Sequence, residues 1–218
     1  TRLRPLTESI PKPLIPLGGK SLIVRHLETL GALGVRRVII NLHYLGDKIR
    51  IALKDGSQFG LELVYSEEDP ILDTGGAIKR IEPLLEHDLL LTINSDSVFG
   101  DPSPIPTLIQ AHLAAPERTL FTCLVREESE QQLYGAPLTV DAHGEVVEFL
   151  GAVSKFRRDG ESSERMYTGM EVISRAALSL MPSSGTPFSI ASGTWVDALR
   201  QGYRIHSVEW KGYWNDVG

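Results

Sequence analysis

Apolar residues recur along this chain in two alternating rhythms. In SLIVRHLETLGALG the leucines fall at helical spacing and Gly34 closes the stretch, which predicts an amphipathic helix. VRRVIINLHYL is a short β-branched run and predicts a buried strand. The pattern then repeats: GDKIRIALKDG reads as a helix ending at Gly56, LELVYSEE as a strand, GGAIKRIEPLLEH as a helix, and DLLLTINSD as a strand with a polar end. This βαβα order predicts an α/β fold with a mostly parallel sheet flanked by helices. Ligands of such sheets sit at the carboxyl ends of the strands, which draws attention to residues 41–43, 66–69 and 94–96.

Beyond residue 100 the rhythm changes. PIPTLIQAHLAA predicts a helix, TLFTCLVRE a strand, and LYGAPLTVDAHGEVVEFL a hairpin turning at His143 and Gly144. GESSE reads as an exposed polar loop, RMYTGMEVIS as a strand feeding the helix AALSLM, SIASGTWVDALRQG as a helix, and YRIHSVEW as a last strand before YWNDVG. With no internal repeat and no long linker, 218 residues are expected to form a single domain with two functional halves, about 1–130 and 131–218.

Composition narrows the classes of function. A net charge of −6 argues against a broad nucleic-acid surface, and no apolar run approaches the roughly 20 residues of a membrane span. The single cysteine, Cys123, excludes an internal disulfide and a cysteine metal cluster, and favours a cytoplasmic location; it sits in an apolar strand-like run. The six histidines lack zinc-like spacing and read as packing or surface residues. An acidic protein that binds phosphates must concentrate cations locally or recruit a metal. The first twenty residues do the former: Arg2, Arg4 and Lys12 lie among Pro5, Pro11, Pro13 and Pro16, a stiff segment that forbids a regular helix. Such a loop suits a polyphosphate, because little freedom remains to be lost on binding; it is also compatible with a solvated proline-rich linker.

Three further stretches carry candidate chemistry, each with a plainer alternative. Gly75 and Gly76 in LDTGGAIKR allow close backbone approach to a ligand and open a helix with free amides, or they are simply a helix start. Asp96 in INSDSVFGD follows a buried strand, where a carboxylate suits magnesium or caps a turn. Asp216 in YWNDVG lies in an apolar setting and needs a cation, either a metal or an arginine.

TRLRPLTESIPKPL resembles the signature of the sugar-1-phosphate nucleotidylyltransferases, Gly-x-Gly-Thr-Arg-Leu-x-Pro-Leu-Thr followed by Pro-Lys-Pro-Leu. The resemblance places the family's first strand and glycine-rich turn upstream of Thr1, and the end of its last motif, Thr-Pro-Glu, beyond Gly218. It implies a Rossmann-like, mostly parallel but mixed sheet of the nucleotide-diphospho-sugar transferase type. By the same resemblance Arg2 and Lys12 are catalytic; Thr1, Arg2, Thr74, Gly75, Gly76 and Asn94 contact nucleotide; and Asp96 and Asp216 hold Mg2+. Tyr134, Gly135, Thr168 and Gly169 fall on sugar-phosphate-binding elements. Where many relatives carry Glu-Lys-Pro, this chain reads EFLGAVSK, which leaves open whether Glu148 replaces that glutamate.

The activity implied is magnesium-dependent condensation of a nucleoside triphosphate, GTP or UTP, with a sugar 1-phosphate to give an NDP-sugar and pyrophosphate. The nearest resemblance is to short members such as mannose- or heptose-1-phosphate guanylyltransferases and N-acetylmuramate-1-phosphate uridylyltransferases. A catalytically inactive, sugar-nucleotide-binding homologue would be expected to lose Lys12, Asp96 or Asp216. A phosphocholine cytidylyltransferase would lack the Thr-Gly-Gly element, and an oxidoreductase would show Gly-x-Gly-x-x-Gly after a strand. Partners are expected to be these small molecules, without nucleic acid or membrane, and a homo-oligomer is compatible with the sequence.

Overall fold

The computed structural model describes residues 3, 5–100, 103–127 and 136–217. By density of contacts the chain divides into two units. The first comprises Thr1–Leu72, Ser95–Val98 and Asn215–Gly218; the second comprises Asp73–Asn94 and Phe99–Trp214. This division follows packing, whereas the expected halves at 1–130 and 131–218 are defined by ligand.

In the first unit the proline-rich opening forms 3-10 turns at Leu6–Glu8 and Lys12–Leu14, then a small hairpin of β1 (Pro16–Leu17) and β2 (Lys20–Ser21). Helix α1 (Leu22–Ala32) buries Leu22, Ile23, Leu27 and Leu30, the stripe that its leucine spacing predicts. Strand β3 (Arg37–Leu42), helix α2 (Gly46–Leu53) and strand β4 (Glu62–Glu67) follow, and β3 and β4 pair in parallel from Arg37↔Glu62 to Leu42↔Glu67. Ile40, Leu42, Ile49, Leu53, Leu61 and Leu63 are buried in this βαβ unit.

The second unit opens with helix α3 (Asp73–Arg80), which ends ahead of a 3-10 turn at Glu82–Leu84. Pro83 in that turn cannot donate to a continuing helix, so the expected helix over 75–87 is cut short. Strand β5 (Leu89–Ile93) is followed by β6 (Ser97–Phe99), of which Ser97 and Val98 belong to the first unit, and then by helix α4 (Ile105–Leu113) and strand β7 (Thr119–Glu127). A hairpin of β8 (Leu138–Asp141) and β9 (Val146–Phe149), with β10 (Ala152–Val153), precedes the long strand β11 (Ser162–Ser174). A 3-10 segment at Arg175–Leu180 stands where AALSLM predicts a helix, and a π-helical segment at Ile190–Trp195 enters α5 (Val196–Gln201). Strands β12 (Arg204–Glu209) and β13 (Trp214–Asp216) end the described chain.

The seven-stranded sheet runs β10-β9-β8-β11-β7-β12, with β5 also on β11. It is mixed: β12 joins β7 in parallel, while the other pairings in it are antiparallel. One expectation is overturned here, because Ser162–Glu164 of GESSE belong to β11 and pair with β8 from Ser162↔Asp141 to Glu164↔Thr139. All three residues are exposed, so polar residues sit at this end of the strand without desolvation cost and the sequence carries no strand signal there. The core of this unit centres on Trp195, whose ring packs edge-on to Tyr167 at 4.9 Å and Phe149 at 5.7 Å, and lies 6.3 Å from Phe121. Among the described residues no helix is long and apolar enough to cross a membrane.

Candidate active site

Lys12 is presented by a short, stiff turn. Pro11 has φ −63 and ψ 139, Pro13 follows, and the turn closes through Leu14 N donating to Pro11 O at 2.8 Å and Ile15 N to Lys12 O at 3.1 Å. From there Lys12 Nζ donates to Asp96 Oδ2, an ion pair whose side chains are each 26% exposed. Asp96 sits just before β6, which pairs with β13, the strand that ends at Asp216. Val217 N donates to Asp96 O at 3.0 Å, so the backbones bearing the two aspartates adjoin although they are remote in sequence. Lys12, Asp96 and Asp216 thus all belong to the first unit.

His26, a packing residue by sequence, stands beside this group from α1. Burial pushes its imidazole below the usual range, opposed by a hydrogen bond to the Ser97 backbone and by the charge of Asp96. Glu68 lies in the strand-end stretch 66–69 that the parallel-sheet reading singles out. Its carboxylate accepts from Asn41 Nδ2 at 2.9 Å and from Leu72 N at 2.8 Å, while its carbonyl meets His43 Nδ1 at 2.9 Å. Glu68 therefore ties the ends of β3 and β4 to the loop that leads out of the first unit.

The Thr-Gly-Gly element lies in the second unit, and the reason expected for its glycines is corrected. The amides of Gly75 and Gly76 are not free: both donate to Phe188 O, at 2.9 and 3.2 Å. A Cβ at Gly75 would lie 2.2 Å from Phe188 Cε2 and 3.0 Å from Ile190 N, so the glycine makes room for protein. Thr74 Oγ1 in turn accepts from Ile190 N at 3.0 Å. Periodicity carries no hint of Phe188 and Ile190, because they approach α3 from the far end of the chain.

Asn94 and Gly169 are brought together. Asn94 N donates to Gly169 O at 2.8 Å, Gly169 has φ +82, and a Cβ there would lie 2.6 Å from Asn94 Nδ2. This is where β11 carries a bulge between Tyr167 and Glu171. Thr168 is buried and its hydroxyl donates inward to Leu124 O at 2.9 Å, so the side chain is directed to the core. Glu148 is ion-paired with Arg157 at 3.1 Å. Thr1, Arg2, Tyr134 and Gly135 lie outside the described residues.

The residues present fit a hard divalent cation. The backbones of Asp96 and Asp216 adjoin, and both residues carry carboxylates, the hard oxygen donors such an ion takes. Magnesium characteristically takes one or two protein carboxylates and leaves its other positions to phosphates and water.

The chain matches the Nucleotidyl transferase family over residues 1–218, and it belongs to that family. Among its relatives, a mannose-1-phosphate guanyltransferase of Emericella nidulans is 30% identical over 229 residues, covering 100% of this chain and 58% of that protein. An N-acetylmuramate alpha-1-phosphate uridylyltransferase of Neisseria meningitidis is 40% identical over 121 residues, covering 51% of this chain and 52% of that protein. The chain therefore spans little more than half the length of the Emericella relative, and about half of it aligns with the Neisseria one. Among solved structures, HddC from Yersinia pseudotuberculosis complexed with GMP-PN superposes with TM-score 0.75 at 23% identity, covering 100% of this chain and 88% of that one. The inositol-1-phosphate CTP transferase from T. maritima gives TM-score 0.74 at 20% identity, covering 99% of this chain and 84% of that one. The chain shares their fold.

Proposed function

We propose that this chain carries a metal-dependent nucleotidyl transfer: a sugar 1-phosphate and a nucleoside triphosphate condense to an NDP-sugar and pyrophosphate. The observation that supports this most directly is the convergence of Lys12, Asp96 and Asp216 on one place in the first unit. An oxygen of the sugar phosphate, already ionised at neutral pH, bonds to the α-phosphorus in line. The bond from that phosphorus to the bridging oxygen of the β-phosphate breaks, and pyrophosphate leaves with the electron pair. No general base is required, so the protein's contribution is positioning and charge neutralisation. Lys12 holds the α-phosphate and the charge that develops on it. Asp96 and Asp216 would hold Mg2+, which supplies a shared positive charge for two mutually repelling anions. Arg2, by resemblance, holds the departing phosphates, and Thr1, Thr74–Gly76 and Asn94 contact the nucleotide. Tyr134, Gly135 and Gly169 are assigned by resemblance to the sugar phosphate; Thr168, its hydroxyl engaged by Leu124 O, offers only backbone there, and Glu148, paired with Arg157, stands where the family pattern departs.

GTP and UTP are the triphosphates proposed, in line with relatives named as guanyltransferases and a uridylyltransferase, and the acceptor is a sugar 1-phosphate. A cytoplasmic setting, where nucleoside triphosphates are plentiful, suits this reading. The test is pyrophosphate release with Mg2+ across triphosphates paired with sugar 1-phosphates and with phosphocholine. Lys12→Ala and Asp96→Ala are each expected to lower turnover at least about a hundredfold, the scale of losing one preorganised charge. Full release by either variant refutes the assignment, release with CTP and phosphocholine alone redirects it, and binding without release points to an inactive homologue.

A further inference from the structure

The contact between Lys12 and Asp96 joins two groups that the proposed reaction uses separately, one on phosphate and one on the metal. With Nζ seated on Oδ2, the ammonium occupies the coordination space on that oxygen, and a divalent cation arriving there meets both a filled site and like-charge repulsion. Each side chain keeps 26% of its surface in solvent, so the pair is exchangeable and not locked in a dry interior. The lysine turn is stiff in its backbone, but four methylenes link it to the charge, which leaves the ammonium free to swing away.

We infer that Lys12 acts as a stand-in cation, neutralising Asp96 until the metal arrives, and that metal and phosphate each release a binding partner for the other. A phosphate that draws Lys12 off uncovers Asp96 for the metal; a metal that displaces Lys12 delivers a free ammonium to the phosphate. The two ligands are thereby coupled through one ion pair, and linkage makes that coupling reciprocal. Neither charge is left uncompensated while the site waits, which avoids the cost of an unpaired, partly desolvated carboxylate. The inference rests on the proposed roles of these residues.

The experiment measures the two ligands apart, without turnover. Mn2+ binding is followed by EPR of the free ion, and tripolyphosphate binding by calorimetry in the presence of a chelator. Lys12→Gln, and Lys12→Met as a second variant, should bind Mn2+ about tenfold more tightly than the parent, since the competitor is gone, and bind tripolyphosphate more weakly. Asp96→Asn should lose Mn2+ binding and bind tripolyphosphate severalfold more tightly. Lys20→Gln makes the same change in net charge at a lysine paired with Glu28, and should leave both affinities within about twofold. Equal or weaker Mn2+ binding by both Lys12 variants, with Asp96→Asn still abolishing it, overturns the stand-in role and leaves the proposed function standing. Unchanged Mn2+ binding by Asp96→Asn overturns both.

Discussion

Replacing Glu171 with glutamine is expected to stabilise this protein, increasingly so as pH rises. Glu171 lies in β11 with Thr92 of β5 and Cys123 of β7 as its lateral neighbours, and it is 1% exposed. Trp195 Nε1 donates to its Oε2 at 3.0 Å and the Tyr167 hydroxyl also hydrogen-bonds to it, but no cation does so among its described interactions. Burial dominates these hydrogen bonds and raises the carboxyl from an ordinary 4.5 to about 8. The folded state therefore holds a proton that the unfolded chain gives up above pH 4.5, and stability falls as pH climbs between the two values. At about 1.4 kcal/mol per pH unit, the loss reaches about 3 kcal/mol at pH 7 and about 5 kcal/mol once pH exceeds the folded value. Below pH 4.5 the stabilising share of this group is fully present, and above about 8 its effect levels off. Urea unfolding of the parent and Glu171→Gln from pH 5 to 8.5 reads the difference directly, because background titrations cancel. The two stabilities should diverge steadily with pH, the glutamine variant gaining. Parallel curves would show that Glu171 is not held protonated and would refute the reasoning.

Two further outcomes follow from contacts inside the second unit. Gly75→Ala drives a methyl into the ring of Phe188 at 2.2 Å and should cost about 1–3 kcal/mol of stability, with Phe188→Leu in the same chain recovering part of it; thermal unfolding of the three variants checks this, and an undisturbed midpoint for Gly75→Ala would contradict it. Arg204 pairs with the buried Glu145 at 2.8 Å while its guanidinium lies 3.6 Å from the Phe156 ring centre, and burial already raises Glu145 against the pull of that arginine. Arg204→Met should therefore destabilise by about 3–5 kcal/mol at neutral pH and less as pH falls and the orphaned carboxyl takes up a proton; Arg204→Met with Glu145→Gln should regain most of the loss in denaturant titrations.

What the sequence determined by itself was everything carried by local chemistry and spacing. The leucine stripe of α1, the β-branched run of β3 and the prolines around Lys12 each fix their own conformation, and the opening motif with Asp96 and Asp216 made the family legible. Periodicity failed where exposure removed its basis, at Ser162–Glu164, and where helical stretches tightened to 3-10 or widened to π geometry. Only the tertiary structure decided who meets whom. It gave Gly75 and Gly76 to Phe188, set His26 beside Asp96, closed Glu68 over Asn41 and Leu72, and seated Lys12 on Asp96. Such pairings depend on loop closure over tens of residues and on desolvation, and neither leaves a period in the chain.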